Sequence, residues 1–77
     1  MNPDPIPAAE RAEALLKQQL SGRVSGLQVL MHEKGVVLRG HAFSYYVKQL
    51  AQHAAMRTLG MPVFANEIEV RGRDRTG

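Results

Sequence analysis

The chain has 77 residues, which limits it to one small domain able to bury roughly 60% of its unfolded surface. It contains no cysteine, so disulfides and thiolate metal sites are excluded, and no apolar run approaches the roughly 18 residues of a membrane-spanning helix. Net charge is only +3, and Arg71, Arg73 and Arg75 lie in the last seven positions, so the basic excess reads as a solvated tail.

The start, MNPDPIPAAE, is polar and proline-rich and lacks the apolar segment of a secretory signal; a cytoplasmic location is expected if the chain is complete. Residues 1–6 are expected to be flexible, with the domain spanning 7–71 and a disordered basic tail over 72–77. Pro7 suits the first helical turn, where its missing N–H costs nothing, and Glu10 suits the positive end of a helix dipole. From Pro7 to about Leu20, Ala8, Ala12, Leu15, Leu16 and Leu20 recur at helical spacing. Glu13 and Lys17 stand four apart, a spacing that allows an ion pair. Gly22 is a natural stop, and Ser21–Gly26 reads as a loop.

Two alternating runs flank Lys34-Gly35, and a residue followed by Gly between such runs signals a two-residue hairpin turn. With that turn, Glu33 faces Val36, Met31 faces Leu38, Val29 faces Gly40 and Leu27 faces Ala42. One face of the hairpin is apolar: Leu27, Val29, Met31, Val36, Leu38 and Ala42. The opposite face, Gln28, Leu30, His32, Val37, Arg39 and His41, is mixed.

Ser44 is placed to cap a second helix, whose apolar face is Val47, Leu50, Ala51, Ala54, Ala55 and Thr58. Its polar face is Lys48, Gln49, Gln52, His53, Met56 and Arg57. Gly60 offers a left-handed cap, and Pro62 blocks continuation. Val63–Arg71 then alternates as a third strand, with Phe64, Asn66, Ile68 and Val70 on one side and Val63, Ala65, Glu67, Glu69 and Arg71 on the other. Asn66 breaks the apolar face, so its amide must find partners, with backbone groups of a neighbouring loop the expected ones.

Five elements with one apolar side each are satisfied by an α+β two-layer sandwich in the order α-β-β-α-β, with two helices on one face of a three-stranded sheet. The third strand fits beside the second, giving a mixed sheet, or beside the first, giving an antiparallel one; the mixed sheet is the preferred expectation. The crossover through the second helix is expected to be right-handed.

This arrangement resembles the BON domain, the bacterial OsmY and nodulation module. The likeness runs from Leu27 to Val70. It is carried by Leu27-x-Val29-x-Met31, by Val36-x-Leu38-x-Gly40, by Ala51 and Ala55, and by Gly60-Met61-x-x-Phe64-x-Asn66-x-Ile68-x-Val70. The family usually has Val at the Met61 position, often at the Phe64 position too, and its turn glycine lies two residues before the second-strand Val rather than one. The resemblance implies the same fold, and attachment to phospholipid surfaces or docking within envelope and secretion assemblies. It implies no catalytic residues, cofactor or metal.

Several residues invite a functional reading on their own. Tyr45, Tyr46, Lys48, Arg57 and Met61 combine aromatic and basic character suited to an anionic bilayer interface, the alternative being that one tyrosine packs against the first helix. Leu30, Val37, Val63 and Ala65, flanked by Arg39 and Glu67, form a candidate patch on the outer sheet face for a protein partner or weak homo-oligomerisation. His32 and His41 share that face, but the assumed pairing separates them by roughly 13 Å at ~3.3 Å per residue, too far for one metal ion. His53 lies on the second helix, and all three read as surface histidines. No Ser-His-acid spacing or phosphate-cradling loop points to catalysis. Two helices on a three-stranded sheet are similar in outline to KH-type RNA-binding modules. Gly22 and Gly26 are spaced one residue too far for the Gly-x-x-Gly clamp, so nucleic acid is not the expected partner.

Overall fold

A computed structural model describes residues 8–71. The N-terminal segment expected to be flexible, the helix start expected at Pro7 and the expected basic tail with Arg73 and Arg75 lie outside the described residues. The elements are α1 (Ala8–Leu20), β1 (Val24–His32), β2 (Gly35–Ala42), α2 (Tyr45–Leu59) and β3 (Val63–Val70). The sheet order is β1-β2-β3, with β1 and β2 antiparallel and β2 and β3 parallel, so the sheet is mixed. α1 packs on β1 and on α2, and α2 packs on β3, leaving the other sheet face open.

The core is one dry layer. Leu16 and Leu20 of α1 meet Leu27 and Val29 of β1, Val36 and Leu38 of β2, and Ile68 of β3, all buried. Each leucine or valine so enclosed contributes roughly 1.5–3 kcal/mol relative to exposure. α2 presents Ala51, Ala54 and Ala55, whose small side chains let it sit close to the layer. Ser44 Oγ accepts from the Val47 N–H, and Gly60, at φ +66°, closes the other end of α2 with its N–H donating to the Met56 carbonyl. Leu15, expected in the α1 stripe, is outward and half-exposed, because the buried seam repeats strictly every fourth residue at Ala12, Leu16 and Leu20.

The hairpin register differs from the expected one by two residues. Met31 pairs with Val36, Val29 with Leu38 and His32 with Gly35, so the turn is Glu33-Lys34. His32 Nδ1 accepts from the Lys34 N–H at 3.0 Å and braces that turn. A slip of two keeps every side chain on its expected face, which is why Val36 and Leu38 are buried all the same. β1 also begins earlier than expected: Val24, assigned to a loop, pairs with Ala42 and is buried. Two residues, Gly26 and Leu27, stand where β2 offers Gly40 alone, a bulge that shifts Leu27 off Ala42. Met31 lies on the inner side but is 43% exposed, since it extends past the helical cover towards the turn.

A second irregularity sits at the start of β3. Val36 pairs with Val63 and Val37 with Ala65, so Phe64 is the extra residue. The expected alternation therefore breaks there: Val63 packs against the core, and Phe64 is half-exposed. Asn66 remains on the helix side. Its partners belong to a helix rather than the expected loop: Nδ2 donates to the Lys48 carbonyl at 3.0 Å and to Gln52 Oε1 at 3.3 Å, while Oδ1 accepts from the Ile68 N–H at 3.2 Å. One amide thus ties α2 to β3.

Candidate functional site

Three connections meet at one end of the sheet: the α1–β1 loop, the β2–α2 loop and the end of β3. The Arg71 N–H donates to the Ala42 carbonyl at 2.8 Å, and the Arg23 N–H to the Leu20 carbonyl at 3.0 Å, so both arginines spring from hydrogen-bonded backbone. Phe43 lines a recess with both, and Phe43, Tyr45 and Tyr46 are exposed by 66%, 63% and 69%. The helix dictates this for the tyrosines. They precede the buried Ala51 by six and five residues, which at about 100° per residue turns them roughly 120° and 140° away from it, on opposite flanks. Neither tyrosine packs into the helix layer, contrary to the alternative weighed for one of them. Lys48 Nζ lies 5.9 Å from the Tyr45 ring centroid, within reach of a cation–π interaction.

Of the remaining members of the expected bilayer set, Met61 stands apart and Arg57 shares a strip with Tyr46. Met61 packs against the core beyond the far end of α2, a helix roughly 22 Å long at 1.5 Å per residue. Arg57 lies about three turns along α2 from Tyr46, and the two stand at opposite ends of one shallow strip that Gln49, Leu50 and His53 also line. The structure thus pairs Tyr45 with Lys48, sets Tyr46 in one strip with Arg57, and adds a recess where Phe43 meets Arg23 and Arg71. Phe43 follows the last residue of β2, and its neighbours in space come from distant segments, so local patterning gave no signal for it.

The open sheet face is ordered in rows. Leu30, Val37 and Ala65 stand side by side across the three strands. Val63, expected among them, faces inward, and Phe64 extends the apolar row instead. Its ring stacks on His32 at 3.9 Å between centroids and 8° between planes. One row further, Arg39 Nε donates to Glu67 Oε1 at 2.9 Å, so this arginine is held by its neighbour across the sheet. In the next row Glu69 Oε1 lies 3.2 Å from both His41 Nε2 and Arg71 Nη2. The face grades from apolar near the hairpin turn to charged near the aromatic end. His41 pairs with Ser25 rather than Gln28, which moves it even further from His32 than expected. Among the described residues no three metal-ligating side chains come together, and no helix is long and apolar enough to cross a membrane.

Comparison of the chain with protein-family models, with curated proteins and with solved structures finds no match.

Proposed function

We propose that this chain is a non-catalytic, BON-like interaction module that adsorbs to anionic phospholipid surfaces through the end bearing Phe43, Tyr45 and Tyr46. The observation that carries this reading is the concentration of three aromatic side chains, each more than 60% exposed, within four consecutive positions. Aromatic rings of this kind lodge at the headgroup level, where one part is apolar and the rest is wet. Lys48 lies beside Tyr45, Arg23 and Arg71 line a recess with Phe43, and near an anionic surface each cation contributes about 1 kcal/mol. Three together favour anionic over neutral lipid by roughly a hundredfold. The α-β-β-α-β order and the Gly40, Gly60, Asn66 and Val70 spacing support the family resemblance on which a phospholipid role was expected.

The test is vesicle flotation. Phosphatidylglycerol-rich vesicles should carry the chain and phosphatidylcholine vesicles should not, and Tyr45→Ser/Tyr46→Ser should cut the bound fraction at least tenfold. Equal flotation on both lipids, or none on either, contradicts the reading.

One observation favours a second reading. The row Leu30, Val37 and Ala65, extended by Phe64, is contiguous and open, which suits a second copy of the chain or another domain. Light scattering over a concentration series would show a growing mass that Val37→Lys abolishes; a constant monomer mass removes it.

A further inference from the structure

Beside the aromatic cluster the fold leaves a cavity of about 230 Å³ between the start of β1 and the ends of β2 and β3. Its walls include Arg23, Ser25, His41, Phe43 and Arg71. The volume is several times the ~30 Å³ liquid share of one water, enough for a phosphate with part of its hydration. Residues bearing two guanidiniums, a hydroxyl and an imidazole line this space from three separate segments. These groups suit an anion with several oxygens, since guanidinium forks match phosphate geometry.

The local hydrogen bonding points the same way. Glu69, which lines the neighbouring recess together with His41, accepts from Arg71 Nη2 at 3.2 Å and stands 3.2 Å from His41 Nε2. Arg71 Nη2 and His41 Nε2 thus stand around one anionic oxygen at the border of the two recesses. A guanidinium offers five N–H donors, so Arg71 can hold Glu69 and a second anion together. Phe43 and Ala42 give the cavity an apolar side next to the face that would meet lipid.

We infer that this cavity binds a phosphomonoester, with a dianionic phosphate seated between Arg23 and Arg71. A monoester carries a second negative charge and a third terminal oxygen, which two guanidiniums match better than the single charge of a diester. The inference refines the proposed function by naming the lipid chemistry, and it rests on that reading only for the lipid as source. Glu69 competes with the ligand for Arg71 and His41 and moderates its binding.

The experiment uses the full chain with 15N labelling. Titration with inorganic phosphate should shift the amides of Arg23, Ser25, Phe43 and Arg71 before others. Phosphatidic acid vesicles should bind roughly tenfold better than phosphatidylglycerol vesicles matched for surface charge, the effect of one added charge-assisted contact. Arg71→Gln and Arg23→Gln should each erase that preference. Glu69→Gln should strengthen phosphate binding, whereas Glu67→Gln, an equal change in charge on the Arg39 pair, should not. All four positions are exposed, and an unchanged amide spectrum elsewhere verifies the fold of each variant. Absence of phosphate shifts in the cavity overturns the inference, as does an equal response to Glu69→Gln and Glu67→Gln. Phosphate shifts with equal binding to the two lipids keep the site and assign it to free phosphomonoesters. Equal vesicle binding without phosphate shifts sinks the cavity and leaves surface adsorption standing. Phosphate shifts without any vesicle binding do the reverse.

Discussion

Replacing Gly35 separates two roles that the residue can play in the hairpin. The sequence places it in the turn, where a left-handed residue is needed and Asn serves nearly as well as Gly. The structure instead places it as the first paired residue of β2, at φ +146°, with the Pro62 backbone lying against it. A Cβ added there runs into the Pro62 carbonyl and comes within 3.2 Å of the Phe64 nitrogen. These are backbone atoms, so neither can swing aside as a side-chain tip would. A side chain held at such a φ costs of order 1–3 kcal/mol. The carbonyl that must move also accepts from the Val36 N–H at 3.0 Å, and losing that bond costs about 1 kcal/mol more. Gly35→Asn should therefore destabilise the domain by about 3 kcal/mol, a large share of the 5–15 kcal/mol typical of folded domains. Urea denaturation followed by circular dichroism would show the midpoint falling by about 3 M for a slope near 1 kcal/mol/M. Gly22→Asn is the comparison, since Gly22 has φ +78° and nothing within 4 Å of an added Cβ; it should cost well under about 1 kcal/mol. Equal costs at the two positions would refute the register and return Gly35 to the turn.

Other substitutions probe the remaining joints of the fold. Asn66→Asp removes the donor that reaches the Lys48 carbonyl and Gln52, and sets a carboxylate against the carbonyl oxygen; a loss of about 2–3 kcal/mol in urea denaturation is expected. Leu38→Ala should cost 2–5 kcal/mol or so, whereas Met31→Ala, on the same side of the sheet but beyond the helices, should cost less than about 1 kcal/mol by thermal or urea unfolding. Glu13 Oε2 accepts from the Val29 N–H at 3.1 Å on the edge strand β1. Glu13→Ala should cost about 1.5 kcal/mol and speed amide exchange at Val29 above that of its strand neighbours.

The sequence carried the layer architecture because its strongest signals are periodic. Val36 and Leu38 alternate with Val37 and Arg39, Ala51, Ala54 and Ala55 share a helical seam, and Ser44 and Gly60 mark the ends of α2. The same periodicity is blind to a slip of two residues, which leaves every face unchanged; the hairpin turn was misplaced for that reason. It is equally blind to a single extra residue in a strand. The bulge at Phe64 reverses two side chains and is set by Pro62 lying against Gly35, a contact between segments 27 residues apart in the sequence. Candidate contacts divided along the same line. The exposure of Tyr45 and Tyr46 follows from their helical angle to Ala51, and Lys48 lies within one turn of them. The partnership of Arg23, Phe43 and Arg71 arises only when three chain segments meet at one end of the sheet. Met61 was grouped with the tyrosines by residue type, and the length of α2 separates it from them, whereas Arg57 shares a strip of α2 with Tyr46.

The proposed attachment is tested most directly by relaxation enhancement from spin-labelled lipid in phosphatidylglycerol vesicles, read at each amide of the labelled chain. The strongest broadening should fall on Arg23, Phe43 through Lys48, and Arg71, with the hairpin turn at Glu33-Lys34 least affected. Broadening centred on Leu30, Val37 and Phe64, or spread evenly over the chain, would contradict attachment through the aromatic end.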